Sequence, residues 1–134
     1  VEIVDSIDQL VLKLKKEGFS FFIADFAAES FKPNTVPIES PIAICMGTEL
    51  TGVSKRAKEL ADGVIQIPMR GFTQSLNVSV ACACILQSVT ERRRAFLGKK
   101  GDLSIEKQKK LLEGWIDREE TLKKQLDSIL KNTK

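Results

Sequence analysis

The sequence predicts an α/β fold in which a parallel sheet is flanked by helices. Three short apolar segments, at residues 19–25, 42–46 and 64–67, have the length and composition of buried strands. A helical pattern precedes the first segment, another separates the second from the third, and a longer one follows the third. Because strands that alternate with helices form parallel sheets, we expect a ligand site beyond the carboxyl ends of the strands.

The first two predicted helices are bounded by recognisable signals. Ser6 and Gln9 have the pattern of a capping box, in which two side chains satisfy free backbone N–H groups at a helix start. Gly18 ends this helix, because glycine readily takes the conformation found just after a helix end. A second helix is expected over 53–61. The proline-containing stretch at 27–41 is predicted to be a connecting loop, with room for a short edge strand.

The third predicted helix runs over 75–96, with Ser75 as its N-cap. Its first half is apolar on all sides, which indicates burial on more than one side, whereas 91–94 is expected to be solvated. A last helix is predicted over 104–130. Its apolar stripe consists of Leu112, Trp115, Ile116, Leu122, Leu126, Ile129 and Leu130.

Composition indicates a soluble, globular protein. Apolar residues make up 43% of the 134 residues and charged residues 29%, and the longest apolar run, over 78–86, is too short to cross a membrane. The three cysteines lack the paired spacing of a zinc site, and the sequence contains no histidine. We therefore expect buried, reduced thiols, no metal ion and a cytoplasmic location.

Charge is distributed unevenly along the chain. Residues 1–91 carry 8 Lys and Arg against 11 Asp and Glu, whereas residues 92–134 carry 13 against 7. A basic tail on a nearly neutral body suits a polyanionic partner, although lysine-rich helices are commonly no more than solvated surfaces.

Two segments contain residues capable of chemistry, and the first is GTELTG at 47–52, between a predicted strand and a helix. Its glycines permit close approach of the backbone to a ligand, and Glu49 is its only acid. It lacks the Gly-Lys-Ser/Thr ending of a Walker loop. An ordinary strand-to-helix turn explains the same spacing, and Glu49 is then a solvated turn residue.

The second segment is QSLN at 74–77, which opens the third predicted helix. Asn77 is a poor helix former one turn into an apolar helix, so we expect it either to brace another loop or to contact a substrate. Arg70, just before this segment, is either a phosphate contact or a solvated side chain.

These segments resemble a known family. IAICMGTELTGVS (42–54) and ADGVIQIPMRGFTQSLNVSVA (61–81) resemble the second and third motifs of SPOUT-type methyltransferases, in the branch that methylates ribose 2′-hydroxyls of RNA. The basic segment ERRRAF (91–96), followed by LLEGW (111–115), is most similar to the tRNA (guanosine-18-2′-O)-methyltransferase subfamily. The resemblance covers 19–98 and corresponds to the C-terminal portion of such an enzyme.

The resemblance implies an SPOUT fold. A deep trefoil knot is expected over about 42–90, within a methyltransferase domain at 1–98, and a basic helical extension is expected at 99–134. The implied cofactor is S-adenosylmethionine, held in a bent form by backbone groups. The positions that match the family's cofactor-binding residues are Ala24, Gly47, Ile67 and Leu76.

The resemblance also implies catalytic residues and partners. The family's functional polar positions correspond to Glu49, Ser75 and Asn77, while Thr48 stands where the second motif commonly has Asn. RNA, with tRNA first, is the implied partner, and the basic tail is expected to contact its phosphates. Pairing of two copies through the knot region is implied as well.

One motif of the family does not occur in the chain. The family's first motif, an Asn and an Arg on an N-terminal helix, is expected upstream of Val1, so we predict that this chain is a fragment and is inactive alone. Two alternatives stay open at this point. In the first alternative the enzyme acts on ribosomal RNA. In the second the chain is a non-catalytic RNA-binding and dimerisation module, and the intact Glu49, Ser75 and Asn77 argue against this second alternative.

Overall fold

The computed structural model describes residues 3–72, 75–98, 101 and 103–132, with side chains in the last helix described as far as Lys124. The chain divides into two compact units, Val1–Gly101 and Asp102–Lys134. Within the described residues, the first unit contains a sheet and three helices, and the second contains one helix.

The sheet consists of β1 (Ser20–Ala24), β2 (Ile42–Met46) and β3 (Gly63–Ile65), in the order β2-β1-β3. Both pairings are parallel, which confirms the predicted parallel α/β fold. The bounds of β2 are as predicted, β1 is shorter by one residue at each end, and β3 begins and ends earlier than predicted. Ile67 therefore lies in the loop that follows β3.

The first two helices are α1 (Ile7–Lys16) and α2 (Lys55–Leu60). Ser6 is the N-cap of α1, but its side chain makes no capping hydrogen bond with the described residues, so the predicted capping box is wrong. Gly18 follows α1 with a φ of 81°, as expected for a residue that ends a helix. α2 is shorter than predicted because Ser54 caps it, its hydroxyl oxygen accepting the Ala57 N–H at 3.2 Å.

The third helix, α3 (Val78–Leu97), begins three residues later than predicted. Its N-cap is Asn77 and not Ser75, because the Asn77 side-chain oxygen accepts a hydrogen bond from the Ser79 N–H at 2.9 Å. The prediction that Ser75 caps this helix is wrong. Gly98, in the left-handed conformation, ends it.

Only one face of α3 is buried. Ile85 and Val89 pack against the sheet, whereas Val80 and Leu86 are nearly half exposed and Cys84 is exposed. Within the described residues the sheet covers one side of the helix, so the expectation of burial on more than one side is wrong for the single chain. The uncovered side is an apolar surface.

The three cysteines are free thiols in different surroundings. Cys45 and Cys82 are half-buried and Cys84 is exposed, so the expectation of buried thiols is wrong for Cys84. Burial raises the pKa of the Cys45 thiol, which keeps it in the unreactive protonated form. No cluster of metal-ligating side chains is present among the residues that the structure describes.

Side chains of β1 alternate between the two faces of the sheet and form a core on each side. Phe21 and Ile23 face α1 and α2, and Phe22 faces α3. The first core consists of Val11, Phe21, Ile23, Val53 and Ala57. The second consists of Phe22, Val36, Ile65, Ile85 and Val89.

The loop over 27–41 is attached to the sheet by Phe31. The Phe31 N–H donates to the Val64 carbonyl at 2.8 Å, and Phe31 forms an isolated parallel bridge with Ile65. Its ring meets that of Phe22 edge to face, with centroids 5.9 Å apart. The 27–41 loop, in which the sequence left room for a short edge strand, thus forms this single bridge with β3.

The same loop is also held by two arginines of α3. Arg92 donates from Nη1 to the Val36 carbonyl at 2.9 Å and to the Pro33 carbonyl at 3.3 Å, and Arg93 donates from Nη1 to the Ile38 carbonyl. Both side chains are half-buried. The expectation that 91–94 is solvated is therefore wrong for Arg92 and Arg93, because their guanidinium groups satisfy carbonyls that the proline-containing loop does not satisfy itself.

The second unit consists of α4 (Ile105–Asn132), close to the predicted bounds. The stripe residues whose side chains are described are between 49% and 63% exposed, and they are Leu112, Trp115, Ile116 and Leu122. The predicted stripe residues Leu126, Ile129 and Leu130 lie outside the described side chains. None of the helices in the described residues combines the length and apolar character that crossing a membrane requires.

Replacing Arg92 by Met tests the contact between α3 and the loop. We expect the free energy of unfolding to fall by about 1–3 kcal/mol, because the Val36 and Pro33 carbonyls lose a charged donor. Denaturant titration measures the change, and Arg94→Met, at an exposed position of the same helix, is the control. Equal effects of the two substitutions would show that the loop does not depend on Arg92.

Candidate functional site

A cavity of about 570 Å³ lies beyond the carboxyl ends of the three strands. Its walls come from the loops after β1, β2 and β3 and from the start of α3. The volume falls in the range of small-molecule binding sites, which are commonly found at this edge of parallel sheets. Apolar side chains in the wall include Met46, Ile65, Ile67, Leu76, Val78 and Ile85.

The GTELTG loop, 47–52, closes tightly on itself. The Thr48 N–H donates to the Gly52 carbonyl at 3.1 Å, and the Gly52 N–H donates to the Thr48 carbonyl at 2.9 Å. A Cβ atom on Gly47 would lie 2.3 Å from the Gly52 carbonyl carbon and 2.5 Å from the Val53 nitrogen. Glycine is therefore required at position 47 by the backbone itself. Gly52, with a φ of 66°, takes the left-handed conformation that glycine adopts most easily.

Asn77 connects this loop to α3. Its side-chain nitrogen donates to Oε1 of Glu49 at 3.2 Å, while its side-chain oxygen caps the helix. Asn is a preferred N-cap residue, so its position is not the unfavourable one inside a helix that the sequence pattern indicated. The contact with Glu49 agrees with the expectation that Asn77 braces another loop. Both side chains are in the cavity wall.

The structure places all seven predicted site residues around this one cavity. They are Ala24, Gly47, Glu49, Ile67, Ser75, Leu76 and Asn77. They come from four separate segments, which the parallel sheet brings to the same edge. Arg70, the other candidate, is exposed and is not one of the cavity-lining residues that the structure describes.

Sequence reasoning missed several lining residues, of which Asp25 is the most notable. It follows the last residue of β1, lines the cavity and has a side chain only 18% exposed. The sequence pattern over 19–25 places it at the end of the predicted strand. The signal that identifies it is its place as the first polar residue after a buried strand, at the edge of the sheet where ligands bind.

The charged residues of the wall are acidic. Asp25 and Glu49 are carboxylates, and the described residues that line the cavity include no Lys or Arg. The amides of Gln66 and Asn77 and the hydroxyls of Thr48 and Ser75 complete the polar part. An apolar cavity with carboxylates at its wall can accept a ligand that combines an apolar or aromatic body with hydroxyl groups or a positive charge.

Comparison with known proteins identifies the family. Residues 1–87 match the sequence model of the SpoU rRNA Methylase family, so the chain belongs to that family. It is 39% identical over 104 residues to a tRNA (guanosine(18)-2'-O)-methyltransferase of Thermus thermophilus, a match that covers 77% of this chain and 54% of the relative. The chain thus spans about half the length of the curated relatives it matches.

Solved structures show the same fold. The crystal structure of the TrmH/SpoU tRNA modifying enzyme of Aquifex aeolicus is similar with a TM-score of 0.74 and 37% identity, over 87% of this chain and 59% of that one. The SpoU methyltransferase AviRb of Streptomyces viridochromogenes, solved in complex with the cofactor AdoMet, is similar with a TM-score of 0.60 and 21% identity. That match covers 67% of this chain and 37% of AviRb, and it bears on the fold alone. The methyltransferase family predicted from the two motifs is confirmed.

Replacing Gly47 by Ala tests the closure of the loop. The new methyl group would meet backbone atoms of Gly52 and Val53, which cannot move away independently, so we expect the protein to lose about 1–3 kcal/mol of stability. Thermal unfolding measures the loss, and Gly101→Ala, where an added Cβ meets open space, is the control. Unchanged stability of Gly47→Ala would contradict the described loop.

Proposed function

We propose that this chain is the cofactor-binding part of an S-adenosylmethionine-dependent RNA methyltransferase that acts on a ribose 2′-hydroxyl, that of guanosine 18 in tRNA. The observation that carries the proposal is the cavity where both family-like motifs meet, joined by the hydrogen bond between Asn77 and Glu49. Membership in the SpoU family and the 39% identity to a tRNA (guanosine(18)-2'-O)-methyltransferase support it.

The residues around the cavity fit S-adenosylmethionine. Its apolar wall suits the adenine and its volume of about 570 Å³ suits a molecule of this size. The carboxylate of Glu49, without Lys or Arg among the described lining residues, suits a ligand with a positively charged sulfur. When bound, the cofactor supplies a methyl group activated by that sulfonium. The backbone at Ala24, Gly47, Ile67 and Leu76 would hold the adenosine.

The polar side chains have positioning roles in this proposal. The Asn77 amide fixes one oxygen of the Glu49 carboxylate at the cavity wall. A carboxylate held there can accept a hydrogen bond from a ribose hydroxyl and keep it in line for transfer, which contributes to the rate through proximity and orientation. Ser75 lies near Asn77 in the same wall, and its hydroxyl is a further group that can form a hydrogen bond with the substrate.

The knot, the dimer and the cellular location belong to the proposal as well. The trefoil knot over about 42–90 stays a prediction. Pairing of two copies through the knot region is supported by the apolar side of α3, where Val80, Cys84 and Leu86 are exposed, because such surfaces commonly mark an interface. We place the protein in the cytoplasm, with RNA bound partly by the basic extension at 99–134.

The chain covers about half of its relatives, so catalysis by the whole protein is proposed here and not assigned to the 134 residues alone. We expect the chain to bind S-adenosylhomocysteine and to transfer no methyl group. A protein that joins it to an upstream segment with the first motif is expected to methylate tRNA. If that protein methylates ribosomal RNA instead, tRNA is not the substrate, but the proposed reaction, methylation of a ribose 2′-hydroxyl, is retained. If it methylates neither RNA, the proposed activity is wrong.

Two substitutions of Asn77 separate its capping role from its contact with Glu49. Asn77→Ala removes both and is expected to cost about 1 kcal/mol of stability, whereas Asn77→Ser keeps a capping oxygen and costs a few tenths. Both lose the amide donor to Glu49, so both are expected to lower the methylation rate at least about tenfold, a change of about 1.4 kcal/mol in the barrier.

Denaturant titration and methyl transfer from a labelled donor, in the joined protein, measure the two effects. Asn34→Ala, at an exposed position in the 27–41 loop, is the matched control. A Ser variant with normal turnover would remove the Glu49 contact from the proposed mechanism.

A further inference from the structure

Asp25 has surroundings that are unusual for an acid at the mouth of a cavity. Its Oδ1 accepts the N–H of Phe26 at 2.8 Å, and this bond shapes the turn that follows β1. Its Oδ2 is shielded from solvent and accepts no hydrogen bond of regular geometry from the described residues. A shielded carboxylate oxygen is costly unless a positive charge compensates it.

Lys58 of α2 supplies that charge. Its Nζ lies 2.5 Å from Oδ2 of Asp25, and the lysine side chain is 48% exposed while the aspartate side chain is 18% exposed. Burial alone would raise the pKa of Asp25, but the close ammonium group of Lys58, together with the Phe26 N–H, outweighs it and holds that pKa below its ordinary value. The carboxylate is therefore ionised at neutral pH and depends on Lys58.

The ion pair ties together two segments that form the cavity. Asp25 and Phe26 belong to the wall after β1. Lys58 lies in α2, which begins just after the GTELTG loop, the wall after β2. The Asp25 N–H also donates to the Ile65 carbonyl at 3.3 Å, which fixes the end of β1 to the end of β3. Asp25 thus lies where all three strand ends meet.

We propose that the Asp25–Lys58 pair is a positioning device that holds the turn after β1 against the cavity and so sets the affinity for the adenosyl cofactor. This inference rests on the proposed function. Asp25 acts through the turn that it shapes, and Lys58 acts through Asp25, so neither is a catalytic residue. Without Lys58, the buried oxygen is uncompensated, and the turn must open to let water reach it.

This reasoning predicts a non-additive pair of substitutions. Lys58→Met leaves the carboxylate without its partner and is expected to weaken binding of S-adenosylhomocysteine on the order of tenfold. Adding Asp25→Asn removes the charge that needs compensation and keeps the side-chain oxygen that accepts the Phe26 N–H. The double variant is therefore expected to bind within about threefold of the unmodified chain, because both ionic partners are gone together.

The experiment is calorimetric titration of the 134-residue chain with S-adenosylhomocysteine, at a temperature where denaturant titration shows every variant to be folded. Lys55→Met removes an equal charge from an exposed position of the same helix and is the matched control, expected to bind normally. Lys58→Arg, which keeps the ion pair, is expected to bind within about threefold of the unmodified chain.

The possible outcomes distinguish a failure of the positioning role from a failure of the proposed cofactor site. Weak binding by Lys58→Met, with recovery in the double variant and normal binding by Lys55→Met, supports the positioning role. Equal binding by Lys58→Met and Lys55→Met overturns it while the proposed cofactor stands. A double variant as weak as Lys58→Met also overturns it, because Asp25 then contacts the ligand directly. If the unmodified chain binds no S-adenosylhomocysteine, the proposed cofactor site is lost and the inference with it.

Discussion

β1 makes parallel hydrogen bonds along both of its edges, and this constraint sets the position of everything at the cavity. Its last residue, Ala24, is paired with Met46 of β2 and with Ile65 of β3, so the three strands end at one level. Because they run in the same direction, the loops that follow must leave the sheet at the same edge. Four segments that are distant along the chain are thereby brought around one volume.

The two polar contacts that complete the cavity wall link segments that follow different strands, and neither involves a residue of the hydrophobic core. Asn77 connects the start of α3 to Glu49, and Lys58 connects α2 to Asp25. Each contact joins a side chain of a helix or of its N-cap to a carboxylate in the loop after a different strand, so the wall is stabilised by bonds that cross between strand ends. In Asn77 a residue chosen for helix capping also fixes a carboxylate, which makes the beginning of α3 sensitive to the conformation of the 47–52 loop.

The parallel α/β arrangement was predictable because its strands are short apolar runs and they alternate with segments that have helical patterns. Alternating strands and helices then required a parallel sheet, and the ligand edge followed. The start of α3 was not predictable in the same way, since Ser75 and Asn77 are both good capping residues and only the Ser79 N–H decides between them. Ala24, Ile67 and Leu76 were reached through the family resemblance, because apolar residues carry no chemical signal of their own.

Residues that act on distant backbone were the hardest to predict. Arg92 and Arg93 lie in a run of charges that is typical of a solvated helix end, and their carbonyl partners are more than 50 positions earlier in the chain. The sequence pattern places Asp25 at the end of a strand, and nothing near it in sequence indicates Lys58. In both cases the partner is set by tertiary packing, which local patterns do not contain.

The contact between α3 and the 27–41 loop has a consequence for where this unit can be divided. The family match ends at residue 87, in the middle of α3. Val89 completes the core around Val36, which is fully buried, and Arg92 satisfies the Val36 carbonyl. A fragment trimmed to residues 1–87, the segment that matches the family, would leave that core open to water. The boundary for excising or transplanting this unit therefore lies no earlier than Gly98, where the helix ends, and not at residue 87, where the family match ends.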